Sequence, residues 1–114
     1  MKVNVHLIRQ CYSHLRELPP FDRWGLPPAD RVEFGILVGR DHAVYHNDGK
    51  HVIAVNDLTH TTHEQVMQTV AHEMVHLHQE LVGRLPFKKD PHNADFRRWA
   101  RMICKEFGWN VQTF

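Results

Sequence analysis

The chain has 114 residues and a mass of 13.5 kDa, room for one domain over 1–114 and not for a second independently folded unit. Its 42% hydrophobic and 24% charged residues support a packed core and exclude wholesale disorder, and a formal net charge of +1 excludes a nucleic-acid binder driven by its overall field. No apolar run approaches the roughly 18–20 residues that span a bilayer, so no membrane partner is expected.

The N-terminal apolar residues are interrupted by Asn4, His6, Arg9 and Gln10, unlike the unbroken apolar stretch of a signal peptide, and the expected location is the cytoplasm. Two cysteines are too few for a disulfide framework, so Cys11 and Cys104 read as buried free thiols. From Val5 to Leu18 the residues Leu7, Ile8, Cys11, Leu15 and Leu18 recur at helical spacing, and Pro19 with Pro20 stops the pattern. Four prolines and Gly25 surround Phe21 and Trp24 over residues 19–30, which predicts an irregular loop pinned by large side chains. Between Val32 and Asn56 the composition turns β-branched and aromatic, with Asn47, Asp48 and Gly49 offering a tight turn. This predicts a small antiparallel sheet of about three strands.

Thr62 and Gln65 fit a capping box, and the apolar series from Val66 to Val82 predicts a helix ending near Gly83. After the loop GRLPFKKDPHN, Phe96, Trp99, Ala100, Ile103 and Phe107 predict a further helix from beside Asn93 to Gly108. Helix, sheet, helix, helix is an α+β order.

The compositional anomaly is histidine, with 11 residues, because neutral imidazole is the commonest protein ligand for metals. His72, Glu73, Met74, Val75 and His76 spell HEMVH within the central helix, and a spacing of four puts both imidazoles on one face. Even in so His-rich a chain, only about 0.05 such matches are expected by chance. Glu73, beside the first imidazole, can reach a metal-activated water without joining the coordination sphere. A catalytic zinc takes three protein ligands, and His92 is the candidate third: it follows His76 across a loop long enough to reverse direction and precedes a helix whose apolar face must pack back. Asp95, on the first turn of that helix, is the rival, although a carboxylate there also complements the helix dipole. His78 lies about 200° round the helix from His76 and reads as a surface or packing residue, while His60 and His63 read as capping-region or surface residues.

HEMVHLHQ followed by HNADFRRWARMI resembles the SprT-like zinc metallopeptidases, the group that includes the Spartan DNA-protein crosslink proteases, most strongly over residues 62–107. The resemblance implies a zincin-like minimal metallopeptidase: one Zn2+ held by His72, His76 and His92, Glu73 as general base for a zinc-activated water, and Phe96 as a packing aromatic after the third ligand. Asn93 stands where many relatives carry glycine, a mild departure because Asn tolerates the left-handed conformation.

The implied substrate is a protein or peptide. Arg84, Lys88, Lys89, Arg97, Arg98, Arg101 and Lys105 outnumber Asp90 and Asp95 over residues 84–105; this reads first as the solvated side of an amphipathic helix and second as a face for DNA. Two other functions compete. One is a non-catalytic zinc-stabilised binding module, disfavoured because a structural zinc takes four protein ligands and has no use for Glu73. The other is a regulator-cleaving enzyme like the phage-immunity repressor peptidases.

Overall fold

The computed structural model describes residues 2–83 and 90–114. Helix α1 spans Val5–Arg16, strands β1, β2 and β3 span Val32–Leu37, Ala43–Asn47 and His51–Asn56, and helices α2 and α3 span His63–Leu81 and Ala94–Phe107. The helix boundaries follow their caps. Asn4 accepts from the Leu7 N–H at the start of α1, Asn93 does the same for Phe96 in α3, and Thr62 and Gln65 form a reciprocal capping box on α2. Gly108, at φ 74°, closes α3 in a conformation that side-chain-bearing residues rarely adopt. The proline-rich segment contains two short 3-10 turns, Phe21–Arg23 and Ala29–Arg31, and Phe21 is buried as expected of a pinning aromatic.

Three strands form one sheet in the order β1-β3-β2, but the sheet is mixed rather than wholly antiparallel. The tight turn after Asn47 makes β2 and β3 an antiparallel hairpin, whereas β1 lies along the other edge of β3 and runs parallel to it. The physical reason lies at the end of β3. Buried Asn56 donates through Nδ2 to the carbonyls of Gly39 and Asp41, at 2.9 and 2.8 Å, so the β1–β2 connection is pinned across the end of the central strand and β2 is delivered to the far edge. Val52 to Val55 are all buried, which accounts for the unbroken apolar run VIAV where a one-faced strand would alternate.

The core gathers Ile8, Tyr12 and Leu15 of α1, Phe34 and Ile53 of the sheet, Val70, Met74 and Leu77 of α2, and Phe96, Trp99 and Ile103 of α3. Cys11 and Cys104 are free and buried. No helix among the described residues is long and apolar enough to cross a membrane.

Candidate metal centre

HEMVH occupies the middle of α2, where His72 and His76 face the sheet side while Met74, Val75 and Leu77 fill the core. Opposite them stands His92, two residues before α3 begins. Among the described residues, His72, His76 and His92 form the one cluster of potential metal ligands, with their ligating atoms all within 4.8 Å of one another. Nε2 of His72 and Nε2 of His92 are 3.1 Å apart. The aromatic ring of buried Phe96 supports all three, its centroid lying 4.9, 4.9 and 4.7 Å from those of His72, His76 and His92. Asp95, the rival third ligand, is outside this cluster and pairs with Arg98 at 3.3 Å.

The partners of the remote ring nitrogens determine the tautomers. His72 donates from Nδ1 to the backbone oxygen of Phe114 at 2.7 Å, and His76 donates from Nδ1 to Oε1 of Gln79 at 2.7 Å. Each acceptor lacks a proton, so in the neutral rings the lone pair is bared at Nε2, on the side where the three imidazoles converge. Burial, reinforced by the neighbouring His76, pulls His72 down to about 4, and burial also lowers His76. Both rings therefore stay neutral and ligand-competent at neutral pH. Three imidazoles without a bulk-facing carboxylate, each turned by its tautomer or its spacing towards one point, fit a borderline-soft divalent cation.

Glu73 lies on the same face, 6% exposed, with Oε2 4.0 Å from Nε2 of His72. Burial pushes its carboxyl up to about 8, partly opposed by a backbone hydrogen bond from Tyr45 of β2. Two cavities, of about 590 and 400 Å³, share Ala43, His72 and Glu73 as walls. The larger is completed by polar groups including His42, Gln68 and Thr69, and the smaller by β2, His76, Glu80 and His92. The cleft thus follows β2, an edge strand of the sheet, and Asn47 of β2 donates to Glu80 of α2 at 3.1 Å across it.

His63 is exposed at the start of α2, as the sequence implies, but His60 is not a surface residue. It is 2% exposed because both its nitrogens are satisfied internally, Nδ1 by the Asn56 carbonyl at 2.7 Å and Nε2 by the Thr69 hydroxyl at 2.8 Å. His42 stacks on it at 4.0 Å and shares the same hydroxyl. Of the basic residues near α3, Arg97 donates to the His92 carbonyl at 2.9 Å and Arg98 pairs with Asp95, while Arg84, Lys88 and Lys89 lie outside the described residues.

His78 packs away from the cluster. Its ring stacks on Trp24 at 3.9 Å and meets Trp99 edge-on at 4.6 Å, and burial pulls it down to about 4. Between pH 6.5 and 4 the unfolded chain holds a proton on this residue that the folded one refuses, so its effect is a loss of stability as pH falls through that window. At pH 4.5 the loss is on the order of 2 kcal/mol. Urea unfolding of metal-free protein at pH 7.5 and 4.5 should therefore show a smaller acid-induced loss for His78→Phe than for wild type. Equal losses would mean that the buried ring accepts its proton without penalty.

Sequence reasoning misses two residues at this centre. Gln79 had an available signal, since it lies three positions after His76 on the same helix face. The backbone oxygen of Phe114 had none: it comes from a segment 42 residues away, and any side chain could carry it.

A model of the SprT-like family matches residues 24–114. No curated protein and no solved structure matches.

Proposed function

The chain belongs to the SprT-like family, and from that premise we propose that it is a zinc-dependent metallopeptidase that hydrolyses peptide bonds in a protein or peptide substrate. One observation carries the reading: three imidazoles, two of them held in the Nδ1–H tautomer, converge beside a buried glutamate in a cleft along a sheet edge. His72, His76 and His92 would hold the ion, and a set of three imidazole nitrogens with an open side suits a catalytic zinc better than a structural one, which closes with a fourth protein ligand. When bound, zinc supplies Lewis acidity, polarising a carbonyl and lowering the pKa of water towards neutrality.

Glu73 is the general base in this scheme. Its carboxylate takes a proton from the attacking water and delivers it to the amine nitrogen as the C–N bond breaks. Burial alone raises its proton affinity, a neighbouring dication lowers it, and the opposition of the two suits a group that must both take and release a proton near neutral pH. The outer edge of β2, unpaired among the described residues, offers backbone N–H and C=O groups to an extended substrate strand, an interaction that tolerates varied sequences and lays the peptide across His72 and Glu73.

The test is elemental analysis of purified protein together with cleavage of an unfolded protein such as casein. About one zinc per chain is expected, with cleavage abolished by 1,10-phenanthroline and restored by added zinc. Protein that takes up no metal when zinc is supplied would end the peptidase reading. Stoichiometric zinc without hydrolysis of any peptide would favour the non-catalytic binding module.

A further inference from the structure

We infer that Gln79 is a positioning residue that joins the second and third imidazoles of the metal centre into one unit; the inference rests on the zinc reading above. Gln79 is completely buried, so both ends of its amide need partners within the protein. Nε2 donates to the carbonyl of Pro91 at 3.0 Å, and Oε1 accepts from Nδ1 of His76 at 2.7 Å. This orientation of the amide is dictated by chemistry. A carbonyl oxygen only accepts, so the NH2 must face Pro91; the oxygen then faces His76, and the proton of that imidazole is held at Nδ1.

The two bonds act on different ligands. The first keeps the Nε2 lone pair of His76 available. The second holds the peptide that leads directly into His92, whose own carbonyl accepts from Arg97. His72 has no part in this link, because its Nδ1 is oriented by Phe114. Gln79 thus connects a ligand on a rigid helix to a ligand on a loop by bonds made within the protein. A link of this kind reduces the ordering that binding must supply at His92.

The test compares zinc affinity, by competition with a chromophoric chelator, in wild type, Gln79→Met and Gln79→Asn. Met keeps the volume and loses both hydrogen bonds; Asn keeps the amide on a stem one methylene shorter, which cannot span both partners. Zinc affinity is expected to fall about 10- to 100-fold in Gln79→Met, the range in which removal of such outer partners acts. In metal-free Gln79→Met, imidazole 15N shifts of His76 are expected to move from the Nδ1–H form to a mixture, a change that loss of packing alone does not produce. If Gln79→Met does not fold, Gln79→Asn carries the test, with a several-fold loss expected. Folded variants that bind zinc within twofold of wild type, whatever their unfolding temperature, would overturn the inference and leave the peptidase reading standing. Wild type that binds no zinc would overturn both.

Discussion

Glu73→Gln is expected to lower peptidase turnover by about 100- to 10,000-fold, the usual contribution of a general base, while zinc content stays at that of wild type. The substitution is nearly isosteric in a site where Glu73 is 6% exposed, and the amide oxygen can still accept the backbone hydrogen bond from Tyr45. What disappears is the ability to take a proton. Because this step belongs to the transition state, kcat should fall and KM should hold. The variant also has a stability signature. With its pKa raised from 4.5 to about 8, Glu73 contributes stability below pH 4.5 that is lost as pH rises through 8. Metal-free Glu73→Gln should therefore gain on metal-free wild type as pH rises from 5 to 9, as read by urea unfolding. Turnover above a tenth of wild type would remove Glu73 from the role of base.

His92→Ala is expected to weaken zinc binding by about 100- to 1,000-fold, because it leaves two imidazoles where a catalytic zinc takes three protein ligands. His92 is exposed and lies on the loop before α3, so the metal-free fold should lose little, within about 0.5 kcal/mol for a surface position. The contrast between the two states is the diagnostic. In wild type, zinc at a thousand times its Kd adds about 4 kcal/mol to stability, and in the variant most of that increment should vanish at the same zinc concentration. Thermal unfolding with and without zinc reads both quantities. An Asp95→Ala control should behave like wild type in zinc affinity, since Asp95 lies outside the convergent cluster. Full zinc retention by His92→Ala, with loss in the Asp95 variant, would transfer the third position to the carboxylate.

The sequence by itself determined the features whose causes are local. The caps at Thr62 with Gln65 and at Asn93, and the stop at Gly108, act through bonds spanning a few residues, so the limits of α2 and α3 are legible without a fold. The spacing of HEMVH likewise follows from the pitch of a helix, which is why His72 and His76 could be assigned to one face from five letters, with Glu73 beside the first imidazole. Tertiary structure decided the rest. β1 pairs with β3 in parallel because Asn56 pins the β1–β2 connection at Gly39, 17 residues earlier, and nothing in the strand residues states which edge a strand will take. His60 is buried because a carbonyl and a hydroxyl from two other segments meet its ring. His92 reaches the other imidazoles because α3 packs Phe96 beneath them, and Gln79 and Phe114 set the tautomers partly through backbone oxygens. A backbone oxygen is the same atom in every residue, so its role depends on position in space and leaves no mark in the sequence.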